Sequence, residues 1–156
     1  MTRILTIVSA IGAGVVAGVL FAFSTFVMNA LERLPSPQGI AAMQAINVAA
    51  PTPLFMLALF GTAATGGIAA VAALVRSEQP AATYLVIAWV LYLVVVIVTA
   101  AYHVPRNDAL AKIDPTGATA ASYWRHYVSG WDAWNHVRTI VGMAAATMFT
   151  LAARVQ

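Results

Sequence analysis

The chain holds three histidines, His103, His126 and His136, and no cysteine. Any metal chemistry must therefore run through imidazole and carboxylate, with no thiolate to help. His103, His126 and His136 together with Asp132 would make a nitrogen-and-oxygen set suited to iron, copper or zinc. Alternatively, His103 and His136 on neighbouring helices would ligate haem. Neither arrangement has a signature spacing: there is no His-Glu-x-x-His pair, and no Glu-x-x-His carboxylate set of a di-iron bundle. The expectation is of no cofactor, with haem or a transition metal as the alternative.

The densest polar run is Trp131-Asp132-Ala133-Trp134-Asn135-His136-Val137-Arg138-Thr139. Asp132, His136 and Thr139 recur at helical spacing and share one face, while Asn135 and Arg138 share an adjacent one. If the helix begins near Trp131, Arg138 lies about 10 Å inside it at 1.5 Å per residue. A charge at that depth is costly and turns to the bundle interior to find a partner. Asp108, Asp132 and Glu32 are the candidate partners; the alternative is that Arg138 snorkels to the headgroups. Trp131 and Trp134 also read as interfacial anchors, as do Tyr123 and Trp124. Upstream, Tyr102-His103-Val104-Pro105-Arg106-Asn107-Asp108 places a proline where it disfavours helix at Val104. The helix is expected to kink or stop beside His103, freeing carbonyls that a cavity can use. His103 either lines that cavity or is a simple interfacial histidine.

The elements that must position these residues are spelled by composition. Of 156 residues, 62% are hydrophobic and 8% charged, against roughly 25% charged in a soluble domain. Lipid must be the solvent for much of the chain. The net charge of +3 comes from few charges, and no basic run points to nucleic acid. The length suits one domain over residues 1–156. Four stretches approach the roughly 20 apolar residues a spanning helix needs: about 4–30, 51–75, 81–102 and 131–153. Backbone in lipid must satisfy itself, so these are helices. The expected fold is an all-α integral membrane four-helix bundle, multi-pass, in the plasma or inner membrane if the cell is bacterial. The N-terminal run extends to about Ala30, too long for a signal core of about 7–15 residues, and reads as a retained helix.

Four spans put both termini and the link 76–80 on one side, and two longer connections, 31–50 and 103–130, on the other. Each connection is expected to carry a short amphipathic helix. The first lies around Met43, Ile46 and Val48, with Ser36 as its cap and Pro37 at its first position; the second lies near 119–129. Gly14 and Gly18, with Gly61, Ala64, Gly66 and Gly67, mark faces where a neighbouring helix approaches closely. A homo-oligomer is left open. Positive charge is split between Arg3, Arg76 and Arg154 on one side and Arg33, Arg106, Lys112, Arg125 and Arg138 on the other, a weak vote for the second side as cytoplasmic. On this topology Asn29, Gln44, Asn47, Asn107, Tyr127 and all three histidines fall at a single membrane face. His103, Asn107, Asn135, His136 and Arg138 are therefore expected to surround one cavity there.

Three segments carry a family resemblance: Phe21-Ala22-Phe23-Ser24-Thr25-Phe26-Val27-Met28-Asn29-Ala30-Leu31, Val104-Pro105-Arg106-Asn107-Asp108-Ala109-Leu110 and the Trp131–Thr139 run. The chain resembles, over nearly its whole length, the anthrone oxygenase-like family of small four-span membrane proteins. Trp-x-x-Trp-Asn-His-x-Arg is the most specific part, and Asn107, Asn135 and Arg138 match the family pattern. The chain departs from it at Asn29, where proline is common, and at His103, where asparagine is. The resemblance implies oxidation of an anthrone, or a related flat apolar phenolic or quinone-like substrate, by dioxygen without an organic cofactor, as fungal members do in making anthraquinones. On that implication a base near pKa 7 removes the acidic C–H proton. His136 is the expected base, oriented by Asp132, with Arg138 and Asn135 stabilising the phenolate-like oxyanion. Trp131, Trp134 and Tyr127 would stack on the ring beside His103 and Asn107. Two further readings stand beside this one: a non-enzymatic membrane binding or assembly subunit holding a lipid headgroup or partner, and a haem or metal redox protein.

Overall fold

Apolar runs with no water to bond must close their own backbone hydrogen bonds, and a computed structural model describing all 156 residues shows five helices and no strand. They are α1 (Thr2–Glu32), α2 (Ser36–Ala49), α3 (Pro53–Val75), α4 (Ala81–Leu110) and α5 (Ala120–Arg154). All but α2 are long and apolar enough to cross a membrane. They form an all-α membrane bundle in which α5 packs on α1 and α4, and α3 closes the ring against the same two helices.

The two ends of the bundle are built differently. Towards the termini the core is small: Ala13, Ala69, Ala70, Ala73, Ala82, Ala88, Ala145 and Ala152 are buried around Leu85, Tyr92 and Phe149. Between helices already in lipid there is no hydrophobic drive to associate, so close van der Waals approach must do the work, and small residues permit it. Large apolar side chains such as Ile4, Ile11, Phe26, Leu57, Val71, Ile97 and Ile140 point outward instead. At the other end α2 lies over the bundle, and Met28, Leu31, Ile40, Met43, Leu110, Trp124, Tyr127 and Trp131 form a second, bulkier core.

Several local expectations change. Ser36 does not cap α2. Pro35 precedes the helix, and its carbonyl accepts from the Gln38 and Gly39 amides. The true side-chain cap is Thr52, whose hydroxyl accepts the Phe55 amide at 3.1 Å, with Pro53 opening α3. The helix expected near 119–129 is continuous with the fourth apolar stretch, giving one 35-residue helix. Pro105 neither stops nor frees α4: the helix widens into a π turn over Thr99–His103 and runs on to Leu110. Two more π turns interrupt α1 at Phe23–Val27 and α3 at Leu57–Gly61.

The glycines also divide. An added Cβ at Gly14 or Gly18 would meet nothing within 4 Å, so this pair faces outward and does not bring a bundle helix close. Gly66 and Gly67 do: a Cβ there would stand 2.7 Å from Phe149 and 3.0 Å from Trp89. Gly66→Val should therefore lower thermal stability in detergent by about 1–3 kcal/mol, the usual cost of overpacking. Gly14→Ala should be neutral or slightly stabilising, because it adds helix propensity into open space. Circular-dichroism melts of the two variants check both outcomes.

Candidate active site

The polar run of α5 winds through the bundle, and its register decides which side chains face inward. Asn135, Arg138 and Thr139 are buried, while Trp134, His136 and Val137 are exposed. Asn135, fully buried, donates through Nδ2 to the Leu20 carbonyl at 2.9 Å and to Ser24 Oγ at 2.8 Å. Its Oδ1 accepts from Arg138 Nη2 at 2.7 Å. Ser24 also meets Thr139 Oγ1 at 3.0 Å. Arg138 Nη1 donates to Thr99 Oγ1 on α4 at 3.0 Å. The guanidinium is thus slung between α1, through Asn135, and α4.

What it lacks is a counter-ion. Arg138 is 5% exposed, yet the ion pairs of the chain are Arg76–Glu78 and Asp132–His136 only. Asp108, Asp132 and Glu32, the partners expected from sequence, do not reach it. Its Nε is buried with no hydrogen-bond partner.

His103 sits at the end of the α4 π turn, 1% exposed, edge-on to the Trp131 indole at 5.0 Å. Its Nδ1 lies 3.3 Å from the Val98 carbonyl and its Nε2 3.2 Å from that of Trp131. A neutral imidazole has one N–H, so it can donate to one of these carbonyls while the other nitrogen keeps its lone pair. Trp131 in turn donates Nε1–H to Asn107 Oδ1 at 3.1 Å, which also accepts the Tyr127 hydroxyl at 2.8 Å.

These groups border a cavity of about 340 Å³ roofed by α2, within the about 300–1,000 Å³ range of small-molecule sites. Its walls are Leu20 and Phe23 of α1, Phe55 and Leu59 of α3, and Met43 and Ile46 of α2. Its polar lining is His103, Asn107, Asp108, Thr99 and Arg138, with Gln44 and Asn47 from the roof. Each of the three π turns supplies wall residues: Phe23, Leu59, and Thr99 with His103. π turns recur at functional sites because they swing side chains off the regular register.

Of the expected cavity set, His103, Asn107 and Arg138 line the same space, and Asn135 stands directly behind Arg138. His136 does not join them. Its side chain is 51% exposed and turned to the outer face of α5, where Nδ1 meets the backbone carbonyl of Asp132 at 2.7 Å. Asp132 stays on that outer face with it. Trp131 is buried in the cavity wall, whereas Trp134 packs tilted against Tyr102, centroids 5.0 Å apart, outside it. Tyr127 touches the site through Asn107.

The alternative metal set is not assembled. His126 lies in a separate hollow with Tyr102, Arg106 and Tyr123, and no three His, Asp or Glu side chains gather at metal-binding range. His103 and His136 do not face one another: the first is buried on the cavity wall and the second is turned to the outer face of α5. The sequence reading placed Gln44 and Asn47 at the right membrane face without making them site residues. Phe23 and Ser24 lie in the first resemblance segment without being singled out as site residues, and Thr99 carries no signal.

A family model described as anthrone oxygenase matches residues 54–148, which contain α3, most of α5 and all of α4. No curated protein and no solved structure gives a significant match to the chain.

Asn135→Ala should remove the contacts to Leu20, Ser24 and Arg138 at once. The expected loss is about 1–3 kcal/mol per buried group left unpaired, read as an earlier thermal midpoint in detergent. Asn29→Ala, which loses only a bond to its own helix carbonyl of Thr25, should leave the midpoint near wild type.

Proposed function

The chain belongs to the anthrone oxygenase family, and we propose that it is a multi-pass membrane enzyme oxidising a flat phenolic ketone of the anthrone type with dioxygen in the cavity beneath α2. The observation that carries this reading is Arg138: a buried guanidinium without a carboxylate, on the wall of an apolar cavity that also holds a histidine. Such a site suits a ligand that enters neutral and becomes an oxyanion.

An anthrone carries an acidic CH2 group conjugated with a carbonyl. His103 turns its unprotonated nitrogen from the backbone carbonyl it faces and takes a proton from that carbon. The electron pair moves to the carbonyl oxygen, where Arg138 holds the developing negative charge. Preorganised donors in a dry site are worth about 2.7–4 kcal/mol for a single lost oxyanion contact. Thr99 and Asn135 fix the guanidinium, so it need not reorganise as charge appears. The anion gives an electron to dioxygen, and the two radicals combine at carbon as a peroxide. Return of one proton gives the hydroperoxide. Removal of the remaining C–H proton then breaks the O–O bond, leaving a second carbonyl and water. In sum, CH2 and O2 become C=O and H2O. Phe23, Phe55 and Trp131 supply the flat apolar walls.

Oxygen uptake by the purified protein with an anthrone tests the reading. Arg138→Gln should lower kcat/KM by about 10²–10³, the worth of an oxyanion donor. His103→Ala should lower it by about 10²–10⁴, the worth of a general base. His136→Ala should stay near wild type, since that imidazole faces away from the cavity. Loss of turnover in His136→Ala alone would return the base to the outer face of α5. Ligand binding without oxygen uptake by wild type would favour a binding subunit instead.

A further inference from the structure

Beside Arg138, around the edge of the Trp131 indole, the cavity has a second polar lining. Arg138 Cζ stands 5.5 Å from the indole ring, while the indole Nε1 is held by Asn107. Three carboxamides form this lining: Gln44 and Asn47 from α2, and Asn107 from α4. The one carboxylate near them, Asp108, is exposed at the rim.

Their hydrogen bonds leave a defined remainder. An indole N–H only donates, so the Asn107 atom that meets Trp131 must be its oxygen. That oxygen also takes the Tyr127 hydroxyl, and Asn107 Nδ2 is left donating to no protein atom. Gln44 Nε2 gives one hydrogen to the Leu110 carbonyl at 2.9 Å and the other to that of Ile113 at 3.0 Å. Both of its donors are used, and its Oε1 remains as an acceptor. Asn47, one turn further along α2 on the same face, has a buried Nδ2 that lies beside the Tyr127 hydroxyl but makes no well-aligned hydrogen bond. Buried polar groups are ordinarily paired, so an unpaired one calls for a ligand or water.

We infer that Gln44, Asn47 and Asn107 form a subsite for a neutral phenolic hydroxyl. The hydroxyl oxygen accepts from the asparagine amides, and its hydrogen goes to Gln44 Oε1. A bare hydrocarbon edge would leave the amides unpaired, and an anion would meet Gln44 Oε1 with no hydrogen to give. The inference rests on the reading that the substrate's carbonyl lies at Arg138. It adds that the ring system carries a hydroxyl on the lateral edge away from that carbonyl. A hydroxyl beside the carbonyl is already bonded to it within the molecule and cannot serve. Two of the three carboxamides belong to α2, which lies outside the matched family region.

The test is equilibrium binding, followed by quenching of tryptophan fluorescence in detergent micelles. The probes are anthraquinone, 1-hydroxyanthraquinone and 2-hydroxyanthraquinone, at a pH where the phenols keep their protons. Wild type should bind the 2-hydroxy compound about tenfold more tightly than the other two, the worth of about one hydrogen bond. In Asn47→Ala and in Asn107→Ala that ratio should fall towards one. Should Asn107→Ala fail to fold, Asn47→Ala decides alone, because the one contact its Nδ2 loses, with the Tyr127 hydroxyl, is poorly aligned. Equal affinity for the three probes, no binding of any, or an unchanged ratio in Asn47→Ala would overturn the inference. Selective binding of the 2-hydroxy compound with no oxygen uptake on the matching anthrone would sustain the subsite while removing the oxidation.

Discussion

Arg138 carries a charge that does not leave at neutral pH into the interior of a bundle whose surroundings are lipid, and much of the site can be understood as the accommodation of that charge. Insertion scales put an arginine at mid-span about 2.5–3.5 kcal/mol uphill. Two hydrogen bonds that the charged group donates, to Thr99 and Asn135, return about 1.5–3 kcal/mol each. The guanidinium is therefore tolerable without a carboxylate, and its charge is solvated but not neutralised. A carboxylate partner would have made a more comfortable ion pair and a poorer site, because it would occupy the place an oxyanion needs. Asn135 is well suited to the intermediate case. It accepts from the arginine while anchoring itself on α1 through Leu20 and Ser24.

The π turns are the backbone's share of the same arrangement. Each adds a residue to a helical turn, which breaks the regular ladder and offers carbonyls sideways. Tyr92 takes two such carbonyls, those of Ala58 and Leu59, beside the π turn of α3. His103 faces the Val98 carbonyl beside the π turn of α4. Pro105, with no amide hydrogen to contribute, is absorbed by that widening. Small residues at the terminal end hold the helices close. Wider turns and bulkier side chains at the other end hold them apart enough for a cavity.

Much of this could be read from the sequence, and the failures have physical causes. The apolar runs declare the helices because lipid leaves the backbone no other choice, and span counting alone brings Asn107, Arg138 and His103 to one face. Periodicity within a helix is less decisive. Asp132 and His136 share a face, as their spacing requires, but the spacing does not say whether that face looks in or out. Asn135, Arg138 and even Thr139 point inward, while His136, about 100° around the helix from Asn135, points outward. Gly14 and Gly18 fail in the same way: the motif permits close approach without saying which neighbour approaches. The π turns left no trace, since they arise from packing and from Pro105 acting on residues before it. The roof was half visible, as an amphipathic stretch with Gln44 and Asn47 on the right side, but a hydrogen bond from Gln44 to the end of α4 is tertiary information.

The neutrality of the roof follows from the charge beneath it. A carboxylate buried on α2 would be drawn to Arg138 and would compete with any oxyanion formed there. A second cation would hold substrate anions without favouring the one that reacts. Carboxamides bind oxygen atoms without doing either. Asp108, the one acid on the rim, stays exposed, where solvent screens it from the guanidinium. The same low dielectric that makes Arg138 expensive at rest would, in the proposed reaction, strengthen its hold on charge that appears only then. A site of this kind gains most from a substrate that arrives uncharged, crosses an apolar doorway, and acquires its charge only after the water has been left behind.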